Sequence, residues 1–421
     1  MRRWIMLALG TAAQTAACAF VYGVPYLADE LRGREGLSLT QVGVLVACPT
    51  AGLVLALYAW GAAADRFGER LVIACGLAAA FGALAAAAWG VHGAVPLGAL
   101  LVVAGAAGAS VYSASGRMVM GWFGRRERGL AMGIRQTSTP LGMGLAALAM
   151  PPLAGAHGLP GAIGFLAVTC GVVAALVAAF AADPARPRTA AAGPAPNPYR
   201  GSRVLPRIHG SAALLVVPQF TAGAFALVLL VDVRGWSAVG AGRLIALAQG
   251  LGALSRVLVG RWSDRTGSRL RPMRQLAAVT AAVVAATALS TAFPSPLTPA
   301  LLVAAIAITA STNGLSFTST AEIAGSAWSG RALGVHNTGQ NLTAALVPPA
   351  MAAVISATAY WPGFALAAAT AGLSALIVPV AARREREGAE APEAPDAGPG
   401  QGPGQGPGQG PAPELGAAGR P

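Results

Sequence analysis

The chain contains no lysine, and its 16 acidic residues are outnumbered by 29 basic ones, every one of them arginine. Charged residues fill only 11% of the 421 positions, against about a quarter in a soluble domain. That scarcity excludes a water-soluble globule. Cysteine is sparse too. Cys18, Cys48, Cys75 and Cys170 all lie in apolar runs, at spacings that suit neither a disulfide framework nor a metal site, and read as small packing residues. The four histidines, His92, His157, His209 and His336, belong to no nucleophile or metal arrangement. No enzyme, metal or cofactor reading therefore arises. Alternating strand patterns are missing as well, which removes a closed barrel.

What remains is 55% hydrophobic, and up to residue 382 it divides into about twelve apolar stretches of roughly 20 residues, each able to cross a bilayer as a helix. The fold class is all-α, a polytopic membrane protein. Spans are expected near residues 4–28, 40–61, 71–90, 96–121, 129–153 and 161–181, then 209–231, 239–261, 275–293, 298–321, 332–357 and 360–382. The opening Arg2-Arg3 followed by apolar residues imitates a signal peptide, but the run is too long and no cleavage site follows. It reads as the first span.

The net charge of +13 resembles a nucleic-acid signal until the arginines are placed. Arg2, Arg3, Arg66, Arg70, Arg125, Arg126, Arg128, the run from Arg186 to Arg207, the run from Arg261 to Arg274, Arg331 and Arg383 to Arg386 all fall in connections on one side. The other side holds only Arg32, Arg34 and Arg234. This is the positive-inside bias, with both termini cytoplasmic and an even number of spans. An inner membrane, multi-pass location follows, and nucleic acid is excluded as a partner.

Four regions are expected: a six-helix half over 1–181, a Pro- and Arg-rich cytoplasmic linker over 182–208, a second six-helix half over 209–382, and a disordered Gly/Pro/Gln-rich tail over 383–421. The halves repeat one another. Gln14 to Phe20 matches Gln219 to Phe225 at an offset of 205, and Gly133 to Thr137 matches Gly334 to Thr338 at 201. Gly61-Ala-Ala-Ala-Asp65-Arg66-Phe-Gly68-Glu-Arg70 matches Gly260-Arg-Trp-Ser-Asp264-Arg265-Thr-Gly267-Ser-Arg269 at an offset of 199. Nearly constant offsets indicate duplication.

That last motif, Gly-x-x-x-Asp-Arg-x-Gly-x-Arg in both halves, resembles the signature loop of the major facilitator superfamily, and Gly121 to Gly133 looks like the same superfamily. The resemblance covers the whole membrane region. It implies a secondary transporter with a central cavity that works by alternating access. Physically, Gly61, Gly68, Gly260 and Gly267 permit tight turns, while Asp65 and Asp264 can accept from neighbouring helix ends. With Arg66, Arg70, Arg265 and Arg269 they form a candidate gate latch, although topology alone also accounts for the arginines. Arg117 is expected to pair with Asp65 or Glu322 in a structural or gating role. Arg243 and Arg256 read as structural.

Arg135 is different, lying roughly two turns inside its helix, where an unpaired charge costs on the order of 3 kcal/mol or more. Its repeat partner is His336, followed by Gln136 and Asn337 at matching positions. Together with the symmetric pair Gln14 and Gln219 they suggest a donor-rich pocket for a carboxylate or other oxyanion. The alternative is interhelical packing. Thr50, Gln249, Asn313, Asn341 and Tyr22 are weaker lining candidates. The double prolines Pro151-Pro152 and Pro348-Pro349 are expected to bend or end their helices. No carboxylate falls at mid-membrane depth, which weakens acid-dependent drug export and sugar symport.

The expected function is secondary transport of a small organic anion, with a coupling proton or a counter-transported anion, by a monomer in the lipid bilayer. Efflux of an amphipathic metabolite and a membrane-embedded sensor are the competing readings.

Overall fold

The computed structural model describes residues 1–33, 36–91, 93–184, 196–293 and 295–380; the expected tail and residues 185–195 of the expected linker lie outside these. Every regular element among them is helical. In the first half the helices are α1 (Arg2–Val21), α2 (Ala28–Gly33), α3 (Leu39–Phe67), α4 (Glu69–Trp89), α5 (Ala94–Trp122), α6 (Arg128–Arg135) and α7 (Ser138–Phe180). In the second they are α8 (Val204–Val228), α9 (Ala238–Thr266), α10 (Leu270–Ala292), α11 (Thr298–Thr309), α12 (Asn313–Ala324), α13 (Ser329–Ala357) and α14 (Tyr360–Ile377).

Ten of these stretches are long and apolar enough to cross a membrane on that basis alone. Two further crossings complete twelve. The run Arg128–Phe180, 53 residues long, leaves helical dihedrals at Gly158, where φ is 66°. It returns so that Arg70 on α4 reaches the Ala178 carbonyl near its far end, and it therefore crosses twice. The other is α13, which is long enough but carries His336, Asn337, Thr338, Gln340 and Asn341 in its middle. The polarity that hides it from hydropathy belongs to the site.

Boundaries differ from the sequence expectation in four places. The first span ends at Val21, and Val24–Leu27 tightens into a 3-10 turn before α2. The second half starts at Val204 rather than 209. The fifth span breaks at Gln136–Thr137 because Pro140 lacks the N–H that would bond Gln136 and its ring crowds that carbonyl. The tenth breaks over residues 310–312 without a proline. There Thr309 and Ser311 turn their hydroxyls back onto the Ile306 and Ile308 carbonyls, at 3.4 and 2.6 Å. The double prolines end nothing, since α7 and α13 run on past them.

Within the first half α3 packs on α5, α4 on α5 and α7, and α1 on α7; within the second, α10 packs on α14 and α8 on α13 and α14. Each half has its own apolar core. The halves meet along two seams, α3 against α13 and α6 against α9. A further apolar cluster bridges them near the arginine-rich end, made of Leu7, Val119, Phe123 and Met132 from the first half with Phe317, Ala321 and Leu333 from the second.

Candidate functional site: a buried polar centre above two interdomain clasps

The seams close through backbone contact at two glycine pairs. A Cβ on Gly61 would collide with the Gly330 carbonyl, and one on Gly330 with the Gly61 carbonyl. Gly129 and Gly260 stand in the same reciprocal relation. At both places any larger residue would force the helices apart.

Beside each pair an aspartate crosses to the other half. Asp65, at the end of α3, accepts the backbone N–H groups of Gly330 and Arg331 at 2.9 and 3.1 Å. Asp264, at the end of α9, accepts those of Gly129 and Leu130 at 2.8 and 2.7 Å. These N–H groups belong to the first turns of α13 and α6, where the helix dipole favours a negative charge. Each carboxylate thus caps a helix of the opposite half.

Cations complete both clasps. Asp65 pairs with Arg117, and with Arg331 at 3.3 Å. Asp264 pairs with Arg269 at 2.6 Å. Arg117 meets Asp65 as one expectation had it, but its second partner is Glu69, fully buried at the start of α4. Glu322 instead faces Arg128 and Arg269 at 3.7 and 3.6 Å.

The matching loop positions have diverged. Arg269 is buried and also holds Ser263 and the Arg125 carbonyl, whereas Arg70 is exposed and binds the Ala178 carbonyl. Arg66 and Arg265 are exposed, and Arg66 lies over the Phe67 ring, 5.1 Å from its centroid. Gly68, at φ 95°, brings the first turn of α4 to Asp183, whose Oδ1 accepts from the Glu69 and Arg70 amides at 2.8 Å each. Gly267 ends α9 in the left-handed region. Neither Glu69 nor Asp183 stood out in the sequence, since their partners are remote in the chain.

The two broken crossings meet next to these seams. Arg135 ends α6, and the Gln136 side chain runs beside Gly314 at the start of α12. The Arg135 guanidinium is only 2% exposed. It donates to Ser115 Oγ at 3.1 Å from Nε and 2.7 Å from Nη2, to Gln14 Oε1 at 2.9 Å, and to Gln136 Oε1 at 3.1 Å. Phe317 of α12 lies under it, 5.9 Å from Cζ to the ring centroid. Every hydrogen-bond acceptor here is neutral. Among the described residues no carboxylate lies within ion-pair distance of Arg135.

Arg256 of α9 is a second such group. It is 6% exposed, donates from Nε to the Ala310 carbonyl at 3.3 Å where α11 ends, and its Nη1 has no hydrogen-bond partner among the described residues. Its backbone touches Gly133, two residues from Arg135. Asp264, two turns further along the same helix, is committed to its own clasp. Among the described residues, then, neither arginine has a carboxylate partner, and the two stand on facing sides of one seam.

The remaining candidates divide into two groups. Gln14 is buried in the Arg135 cluster and donates to Cys18 Sγ at 3.7 Å. His336 does not touch Arg135, because Phe317 stands between them, edge-on to the imidazole at 4.7 Å. Gln219 is half-buried and accepts from Asn313 at 3.3 Å. Asn337 donates across the halves to the Tyr112 carbonyl at 3.1 Å, and Tyr22 donates to Asn341 across them as well, at 3.1 Å. Thr50 is half-buried and Gln249 exposed. Ser115, Phe317 and His209 are the participants that sequence reasoning missed, and Arg256 is one that it read as structural. For Ser115 a signal existed in the run of Ser110, Ser113 and Ser115 along one apolar helix.

Discontinuous helices meeting between two repeated halves are a recurrent transporter arrangement. The sequence profile of the Major Facilitator Superfamily matches residues 4–348. An uncharacterized MFS-type transporter of Mycobacterium tuberculosis (strain H37Rv) is 41% identical over 380 residues, covering 90% of this chain and 85% of that one. Among solved structures, the proton:xylose symporter XylE superposes with a TM-score of 0.71 at 14% identity, over 89% of this chain and 94% of that one. FucP in its outward conformation gives 0.72 at 14% identity, over 91% and 100%. The human organic anion transporter MFSD10 gives 0.67 at 17% identity, over 90% and 99%. These structural likenesses establish the fold, and with the sequence matches they lead to one conclusion: the chain belongs to the major facilitator superfamily and is a secondary transporter of the membrane.

Proposed function

We propose that the protein moves a small organic anion across the cell membrane by alternating access, as a monomer, with both termini and the arginine-rich end in the cytoplasm. The orientation rests on the positive-inside bias. In this reading the clasps of Asp65 and Asp264 are the cytoplasmic gate, closed here, and they part to release solute on that side.

The observation that carries the anion is the Arg135 guanidinium, buried with only neutral acceptors. Such a charge in a low-dielectric interior costs several kcal/mol unless something of opposite sign joins it. A carboxylate entering between the halves supplies that charge and accepts a charge-assisted bond from the Nη1 N–H that Gln136 does not use. Gln14, Gln136 and Ser115 hold the arginine in place, while Gln219, Asn337 and His336 face the solute from the second half. Arg256 adds a second uncompensated positive charge on the same seam.

The test is uptake into proteoliposomes of a panel of labelled carboxylates by wild type, Arg135→Ala and Arg135→Lys. Both variants are expected to lose uptake while remaining monodisperse in detergent. Undiminished uptake by both removes the assignment.

A further inference from the structure

His209 plays no part in the anion pocket, and it is the most conspicuous polar group left over. It lies on α8, one and a half turns from the helix start, and its Nδ1 is 2.9 Å from Nδ1 of His336 on α13. On its other side, Nε2 is 3.0 Å from the hydroxyl of Tyr199, in the segment preceding α8. His336 continues the series through Nε2 to Ser316 Oγ at 3.1 Å, with Thr320 Oγ1 3.3 Å from its Nδ1. Ser316 donates to the Asn313 carbonyl at 2.9 Å, and the Asn313 side chain meets Gln219. Both nitrogens of both rings are thereby used in series, from the arginine-rich end to the polar centre.

We propose that Tyr199, His209, His336 and Ser316 form a proton relay through the second half, with the two imidazoles as the coupling-proton site of the transporter. The inference rests on the transport reading and its orientation, not on the choice of solute.

In one polarity the Ser316 hydroxyl turns from the Asn313 carbonyl to donate to His336 Nε2, His336 Nδ1–H donates to His209 Nδ1, and His209 Nε2–H donates to the Tyr199 oxygen. A proton arriving at Ser316 Oγ is matched by transfer of the serine proton to His336 Nε2 and of the His336 Nδ1 proton to His209 Nδ1. His209 passes its Nε2 proton to Tyr199, whose own phenolic proton leaves to water. One proton enters and one leaves, and only N–H and O–H bonds change. The chain is then in the opposite polarity, with Tyr199 donating to His209 and His336 donating to Ser316.

Tyr199 suits the outer end of such a relay. It is half-buried, and burial, with Tyr58 of α3 nearby, pushes its phenol up to about 12, so it passes a proton without becoming phenolate. The charged and titratable groups around the pair are few. Arg135 of α6 lies beyond Phe317, and the Tyr112 hydroxyl of α5 is 3.2 Å from Cys18 Sγ. Arg331 of α13 is engaged by Asp65 and Trp328, and Glu322 of α12 by Arg128 and Arg269. Among the described residues no carboxylate is bonded to either ring. An added proton on the pair therefore lacks a resident counter-charge, and an anion bound beside Phe317 provides one. Proton and anion would then load together.

The experiment needs no substrate. Full-length protein with nitrogen-15 histidine is placed in nanodiscs of phosphatidylethanolamine and phosphatidylglycerol and examined by NMR as wild type, His209→Gln, His336→Gln and Tyr199→Phe. Expected in wild type are a scalar coupling between the two Nδ1 atoms, exchange of the buried imidazole protons with water, and uptake of one proton by the pair with a common midpoint. The coupling is lost in either glutamine variant. In Tyr199→Phe the coupling persists while the water exchange is lost. Wild-type exchange in Tyr199→Phe, or two independent midpoints, overturns the relay. Thermal stabilisation by carboxylates in Tyr199→Phe, measured alongside, separates this result from the fate of the anion reading.

Discussion

Asp65 and Asp264 occupy equivalent places in the two halves, and each caps the first turn of a helix in the half to which it does not belong. The duplication has become a pair of reciprocal interdomain clasps. A charged acceptor on two backbone N–H groups contributes roughly 1.5–3 kcal/mol for each bond it makes. A seam held in this way is firm, and in the proposed cycle it parts when solute binding offsets that amount.

Neutralising one clasp should shift the protein toward the open seam. In Asp264→Asn, a cysteine introduced at Ser329, which is buried near the other clasp, is expected to react with maleimide faster than in the wild-type background. An unchanged labelling rate would mean that the seams do not open together.

The glycine pairs give a steric counterpart. Gly61→Val should hold α3 away from α13, because its side chain meets the Gly330 carbonyl. The expected outcome is lower melting temperature and faster Ser329→Cys labelling, whereas Gly43→Val, in open space on the same helix, should leave both unchanged.

Arg117 spans two buried carboxylates, so its removal strands both. Arg117→Ala is expected to destabilise the protein by about 3–5 kcal/mol, the usual cost of orphaning a buried ion pair. Arg70→Ala, which removes an exposed side chain, should cost less than about 1 kcal/mol. Denaturation in detergent, compared between the two variants, checks the ordering.

How far these relationships could be read beforehand depended on their range in the chain. The clasp aspartates lie in a ten-residue motif that recurs at half-chain distance, so comparison of the halves located them without a structure. Arg135 was visible because a lone arginine stands out against its apolar neighbours. The break that positions it was also encoded locally, by Pro140 four residues after Gln136, but the equivalent break before Asn313 depends on hydroxyl groups that look ordinary in sequence. Phe317 separates Arg135 from His336, and His209 reaches His336 across 127 positions; neither contact has a local signal. Arg256 and Asp264 lie two turns apart on α9, yet the partners of Asp264 come from α6 and from Arg269.

Arg256 offers a quantitative check on the charge of the solute. Since its Nη1 lacks a hydrogen-bond partner among the described residues, Arg256→Gln should weaken binding of a dicarboxylate such as succinate by about ten- to a hundredfold, the value of one charge-assisted bond. Binding of butyrate, of the same carbon count, should change much less. Equal losses for both would assign Arg256 to packing.

In the proposed function a buried Arg135 with only neutral acceptors awaits an anion. The most direct test is the melting temperature of purified wild type and Arg135→Ala against matched carboxylates, amines and neutral alcohols, since a ligand that binds the folded state raises it. Carboxylates alone are expected to stabilise wild type, and Arg135→Ala is expected to lose the response. Stabilisation by amines or alcohols only, or equal stabilisation of both proteins by carboxylates, would contradict it.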